Sequence, residues 1–322
     1  MKEVTTMLLE FGTAGNTDGG GGSTSARGKA EQQLIDLIQA ALPELTIRSS
    51  RLDQSGGDHL LLVVNDEHAF RFPRVGMHDM RLETEVLRQL RRRSPVAIPV
   101  FDHTDPAGRF AGYRFIDGEP LTASRFARLD DAARNAVLDD IARFLIALHD
   151  LSQAEVGWSG EWPGTWTAAQ FAYRGLSGRL PLIARHAPQL AASVENFYAA
   201  YRLDHAERVA IIHGDLVCEH ILLDRKEERL AGIIDFGDVA LGDPAQDLLG
   251  LWSYGADAVA RVIELYDPRR GDPGLLRRSR NHFVRYRLDR LFESLSLGIV
   301  SETPATIAAI EALLTPSTRY DQ

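Results

Sequence analysis

Two short apolar runs, each followed by an aspartate where the backbone leaves it, constrain this chain more than any other feature. The first lies in Ile211-Ile212-His213-Gly214-Asp215-Leu216-Val217-Cys218-Glu219-His220-Ile221-Leu222-Leu223-Asp224, the second in Ile233-Ile234-Asp235-Phe236-Gly237-Asp238. Brief Ile- and Leu-rich runs bounded by Gly, Asp and His suit short buried strands rather than helices. A carboxylate just past such a strand sits on a loop emerging from the core. One strand-end aspartate is ordinary turn chemistry. Two of them, with His220 five residues beyond Asp215, form a joint pattern that turn chemistry does not explain.

The rest of the chain divides around this insert. Residues 1–28 contain a Gly-Ser run and are expected to be a disordered tail. A helix is expected from about Lys29 to Ala41. Strands are expected over 46–52, 59–64, 67–72, 98–102 and 112–116, with one helix over 79–92. These elements predict a small antiparallel β-sheet lobe with a helix, residues 29–116. Residues 117–322 read as mainly helical: 130–150, about 167–175, 188–203, 244–266, 274–298 and 303–314. Short strands at 209–213, 220–223 and 229–235 lie among them. The expected fold class is α+β, bilobal, with a ligand cleft between the lobes.

Composition excludes several classes. No apolar run approaches 18 residues and no signal-peptide pattern opens the chain, so a cytoplasmic protein without membrane contact is expected. The single cysteine, Cys218, cannot form an internal disulfide. A net charge of −9 argues against nucleic-acid binding and mildly favours a cationic ligand, although acidity also simply keeps proteins soluble. The chain has 33 arginines and three lysines, Lys2, Lys29 and Lys226.

The paired carboxylates suit phosphoryl transfer, which needs positioning, charge stabilisation and a proton acceptor more than covalent help. Asp215, behind the permissive Gly214, suits the base. Asp235 suits a Mg²⁺ ligand, since Mg²⁺ prefers carboxylates and phosphate oxygens. His220 can point back toward the metal or orient Asp215.

With Gly242-Asp243-Pro244-Ala245-Gln246-Asp247-Leu248 added, the series resembles the aminoglycoside phosphotransferase family, which shares the protein-kinase architecture. The resemblance runs from about residue 48 to about 255. It implies transfer of the γ-phosphate of ATP or GTP to a small-molecule hydroxyl, with Asp215 as base, Asp235 on Mg²⁺ and Asp247 bracing the catalytic loop. The commonest family pattern has Asn where this chain has His220. The 2″-aminoglycoside and macrolide types carry His there, which narrows the resemblance.

On the nucleotide side, Ser55-Gly56-Gly57-Asp58 resembles the family's phosphate-covering turn, or is a plain hairpin turn. Kinase-like folds place a lysine on the third strand. Here no lysine lies between Lys29 and Lys226, so Arg71 takes the role or no residue does. Arg71 needs a carboxylate partner. Glu83 falls within the apolar stripe of Leu82, Val86, Leu87 and Leu90, whereas Glu85 falls outside it. Tyr113 to Gly118 resembles the connector between lobes, with backbone near Arg114 and Ile116 meeting the purine and Tyr113 beside the base pocket.

On the acceptor side, Glu219, Asp238 and Asp243 cluster near Asp215 in sequence, and Asp289 and Glu293 share a helix face. These support a cationic acceptor. Against it, Leu248 to Gly255 is apolar, and Trp252 with Tyr254 could wall a macrolide pocket or be core. His149 reads as structural. The expected function is an aminoglycoside kinase. A macrolide kinase, a sugar or amino-alcohol kinase of the same fold, and a non-catalytic pseudokinase are the alternatives. The chain is taken as a monomer.

Overall fold

The structure, a computed structural model, describes residues 23–54, 59–74, 80–157, 168–204, 206, 208–226, 228–267, 271–299 and 303–315. The chain forms two compact units. Unit one runs to Arg91 and resumes over Ile98–Asp117; unit two comprises Arg92–Ala97 and everything from Gly118.

In unit one, helix α1 (Ser23–Ala41) precedes strands β1 (Ser50–Asp53), β2 (His59–Val64) and β3 (His68–Pro73), helix α2 (Arg81–Leu90), and strands β4 (Phe101–Thr104) and β5 (Ala111–Arg114). The five strands pair antiparallel in the order β1-β2-β3-β5-β4. Asn65 and Asp66 both take positive φ, 56° and 55°, between β2 and β3. Asn65, Asp66 and Glu67 separate the paired Val64 and His68, the Glu67 N–H closes on the Val64 carbonyl at 3.0 Å, and Asn and Asp tolerate the left-handed backbone. The turn fixes the register, opposing Leu61 to Arg71 and His59 to Pro73. Leu34 and Ile38 of α1 join Leu52, Leu60, Leu62, Val64, Phe70, Phe72 and Phe110 in the core. Helix α1 starts at Ser23, six residues before the expected Lys29. The segment 23–28 is therefore helical, not a tail.

Unit two contains strand β6 (Glu119–Pro120), helices α3 (Ala123–Arg128), α4 (Asp131–His149), α5 (Ala168–His186) and α6 (Ala191–Tyr201), and strands β7 (Ala210–Ile212), β8 (Ile221–Leu223), β9 (Leu230–Ile233) and β10 (Ala240–Gly242). Short 3₁₀ turns lie at Pro188–Leu190 and Phe236–Asp238, and a longer 3₁₀ helix, Pro244–Tyr254, precedes helices α7 (Ala256–Tyr266), α8 (Leu275–Ser296) and α9 (Thr303–Leu314). Strands β6, β8 and β9 form one antiparallel sheet, and β7 pairs with β10. Ala97 joins this unit because its carbonyl accepts the Ile233 N–H at 3.0 Å.

Asp130 starts α4 by accepting the Ala133 N–H at 2.8 Å, and the helix buries Val137, Leu138, Ile141, Phe144, Leu145 and Leu148. Phe144 meets Phe236 edge-on, with centroids 6.1 Å apart, tying this helix to the loop after β9. The expected single helix over 244–266 is two: a 3₁₀ run that ends at Gly255, then α7. Among the described residues no helix is long and apolar enough to cross a membrane.

Candidate functional site

The loop after β7 is held by one buried carboxylate. Asp247, in the first turn of the 3₁₀ helix, accepts the backbone N–H of His213 at 2.7 Å and of Gly214 at 2.9 Å. His149, at the end of α4, places Nε2 2.9 Å from Asp247 and Nδ1 2.7 Å from the Tyr266 hydroxyl. A carboxylate only accepts, so His149 Nε2 donates. Burial pushes the Asp247 carboxyl up, but the His149 hydrogen bond and the His213 N–H outweigh it and hold it below the ordinary value. Gln246 adds a 2.8 Å bond to the Gly214 carbonyl.

This bracing leaves the backbone little freedom. Gly214 has φ +86°, and a Cβ there would lie 2.2 Å from the Asp238 carbonyl oxygen. Gly250 lets the 3₁₀ helix approach the same loop, since a Cβ on it would fall 2.2 Å from the Leu216 oxygen. His213 is fully buried, donates from Nε2 to the Ile234 carbonyl at 3.0 Å and receives the Asp215 N–H at 3.4 Å. Burial lowers its pKa, so the imidazole is neutral and links the loops after β7 and β9.

Those loops bring Asp215 and Asp235 to one imidazole. His220 Nδ1 donates to the Asp215 carbonyl at 2.8 Å and lies 3.5 Å from Asp215 Oδ2. Its Nε2 lies 3.5 Å from Asp235 Oδ2. The two carboxylates are 39% and 49% exposed and the imidazole 18%, so the acids face solvent while the ring is held from behind. Because Nδ1 donates to the Asp215 carbonyl, Nε2 is the ring nitrogen that faces Asp235. Asp235 itself has φ 65°, ψ 69°, left-handed and off the end of β9; the strand stops at Ile233, before the expected 235. Among the described residues no three metal-ligating side chains converge. An imidazole nitrogen and a carboxylate oxygen 3.5 Å apart could take two neighbouring positions on a small divalent cation, with its other positions left to phosphate and water.

Unit one carries a second constellation. Arg71 Nη1 donates to Glu83 Oε1 at 2.5 Å, and their side chains are 6% and 7% exposed. On α2, Glu83 is buried beside Val86, Leu87 and Leu90, while Glu85 pairs with Arg88 near the surface. Arg71 Nη2 lies 3.2 Å from His59 Nδ1. The sequence reading did not single out His59. The hairpin register carried the signal, because residues 59 and 61 share a sheet face and Arg71 stands opposite Leu61. Tyr113 is buried in β5 and packs on Phe101; Arg114 is exposed, Ile116 partly buried, and the Phe115 N–H closes the ladder on Glu67. Ser55, Gly56 and Gly57 lie outside the described residues.

Several carboxylates expected to meet an acceptor are taken up by arginines. Asp243 accepts from Arg278 Nε at 2.8 Å, contacts His282 Nε2 at 3.3 Å and caps the 3₁₀ helix through the Ala245 N–H. Burial raises its pKa, but the His282 and Arg278 hydrogen bonds prevail and bring it to about 2. Asp289 binds Arg179 and Arg285. Glu293 forms an exposed pair with Arg290 at 2.9 Å, worth about 1 kcal/mol at most. Glu219 and Asp238 remain exposed on the loops that carry Asp215 and Asp235. Trp252 donates to Ser279 and packs with Val217, Leu249, Phe283 and Tyr286. Tyr254 stacks on Phe126 and donates to the Leu121 carbonyl, a structural role.

A family model described as the phosphotransferase enzyme family matches residues 52–280. The chain belongs to this family. The match takes in Asp215, Asp235, His220, Asp247 and the Arg71–Glu83 pair. Viomycin phosphotransferase of Streptomyces vinaceus is 39% identical over 59 residues, 17% of this chain and 21% of that protein. The alignment thus spans about a fifth of that relative.

Solved structures share the fold. A GDP complex of a point mutant of aminoglycoside 2'-phosphotransferase-IIIa superposes with TM-score 0.72 at 21% identity, covering 88% of this chain and 97% of that one. A complex of an aminoglycoside enzyme of the 2″ type with GDP and kanamycin gives 0.70 at 22%, covering 87% and 98%. The macrolide 2'-phosphotransferase of Brachybacterium faecium, as apoenzyme, gives 0.61 at 22%, covering 89% and 99%. The fold class is α+β and kinase-like, as the sequence resemblance implied.

Proposed function

We propose that this phosphotransferase moves the γ-phosphoryl group of ATP or GTP onto a hydroxyl of an aminoglycoside-type antibiotic. The observation that carries the reading is His220 standing between two exposed aspartates on a loop braced by Asp247. Asp215 takes the acceptor's hydroxyl proton, and its partial exposure leaves the carboxylate open to that hydroxyl. The Nδ1–H of His220 holds the Asp215 backbone, so the base keeps its aim as the proton arrives. Asp235 and His220 Nε2 are the residues that would hold Mg²⁺, which supplies charge neutralisation on the phosphates. Arg71, fixed by Glu83, grips the α- and β-phosphates, and Tyr113, Arg114 and Ile116 complete the nucleotide side. Glu219 and Asp238 meet ammonium groups of the acceptor.

Relatives named for aminoglycosides, viomycin and a macrolide support an antibiotic as acceptor. One observation favours a second reading. Arginines engage Asp243 and Asp289, and Trp252, Phe283 and Tyr286 pack around Val217, two residues from Asp215. That environment suits an acceptor with an apolar face, such as a macrolide.

The test is turnover of purified protein with Mg²⁺ and ATP or GTP against aminoglycosides, macrolides and simple amino alcohols. Phosphorylation of an aminoglycoside is expected, and Asp215→Ala should abolish it while nucleotide binding persists. Nucleotide binding without turnover of any acceptor would overturn the reading.

A further inference from the structure

Resting on the reading that Arg71 grips the phosphates, we propose that His59 is a positioning residue for the nucleotide, fixing the plane of the Arg71 guanidinium. An ammonium is a compact, rotationally indifferent donor, so one carboxylate suffices to place it. A guanidinium is a planar fork whose N–H directions matter, and a single tether leaves it free to swing. Here the fork is held at two nitrogens from two elements. Glu83 on α2 takes Nη1 at 2.5 Å, and His59 on β2 takes Nη2 at 3.2 Å.

Arginine only donates, so a ring nitrogen of His59 is the acceptor: Nδ1 lies 3.2 Å and Nε2 3.5 Å from the same Arg71 Nη2. The register explains why the contact forms. His59 and Leu61 share a face of β2, and Leu61 opposes Arg71 in the antiparallel ladder, so His59 reaches Arg71 diagonally. Arg71 is only 6% exposed in its side chain, so a guanidinium turned to the wrong angle cannot recover its bonds from water.

Calorimetric titration of the full chain with Mg²⁺-ATP and Mg²⁺-GTP tests this without knowing the acceptor. His59→Phe keeps a ring but removes the acceptor nitrogen, and should weaken nucleotide binding about tenfold. His59→Asn puts a carbonyl oxygen near the Nδ1 position and should restore affinity to within about twofold to threefold of wild type. On an Arg71→Ala background the His59→Phe change should have no effect, because its influence runs through Arg71. Unchanged binding in His59→Phe, or an equal loss on the Arg71→Ala background, would overturn the proposal. Both results leave the kinase reading standing if wild type binds nucleotide. Absence of nucleotide binding by wild type would sink the kinase reading itself.

Discussion

His149 donates to Asp247 across 2.9 Å at a place where their side chains are 1% and 0% exposed. The Tyr266 hydroxyl behind the imidazole and the two backbone N–H groups beyond the carboxylate make a continuous chain to the loop that carries Asp215. Truncations along it should be graded. Asp247→Ala strands the buried His213 N–H, the half-buried Gly214 N–H and the His149 donor, costing about 3 kcal/mol or more, and should abolish turnover. His149→Ala should cost less, and Tyr266→Phe about 1 kcal/mol with only a few-fold lower kcat. Thermal melting and a coupled turnover assay check the order; a Tyr266→Phe loss as large as that of Asp247→Ala would contradict it.

Alanine should be poorly tolerated at Gly214 and Gly250. The first combines a positive φ with a clash against Asp238, and the second drives a methyl into the Leu216 carbonyl. Each should lose about 2 kcal/mol or more. Activity should fall further than stability in whatever fraction stays folded. Denaturant unfolding alongside initial rates measures both.

The buried Arg71–Glu83 pair should be costly to break and cheap to replace. Glu83→Ala leaves a desolvated guanidinium and should destabilise unit one by about 3 kcal/mol. The double change Arg71→Met with Glu83→Leu should recover most of that stability while abolishing the stabilisation given by Mg²⁺-nucleotide. Melting curves with and without nucleotide separate the two effects.

Acid should unmask Asp243. Its folded pKa of about 2 lies below the ordinary 3.8 because the His282 and Arg278 bonds overcome burial. A depressed carboxylate contributes stability above the unfolded value and loses it as pH falls through the folded one. About 2 kcal/mol should therefore vanish between roughly pH 4 and pH 2. Asp243→Asn should be less stable at neutral pH and show a flatter decline over that window in melting temperature.

Much of this arrangement was legible in the sequence because it is local. The helical spacing of Val86, Leu87 and Leu90 placed Glu83 inward on α2, and the Asn65-Asp66 pair set the β2–β3 turn. What escaped was set by distant partners or by very short elements. β6, α3 and β10 are too brief to show a period. The apolar run from Leu248 onward hid the break at Gly255. Asp289 and Glu293 stand one turn apart on α8, as their spacing implies, but Arg179, from another helix, claims Asp289. Tyr266 behind His149 left no local trace, since 117 positions separate them.

The left-handed backbone at Asp235 decides which replacements the fold will accept. Asparagine and glycine settle into that conformation readily, whereas alanine or valine strain it by about 1–2 kcal/mol. The negative charge at this corner can thus be deleted by a one-atom exchange, Asp235→Asn, that folding scarcely notices. A descendant carrying that exchange would keep its shape, and its intact folding would say nothing about its chemistry.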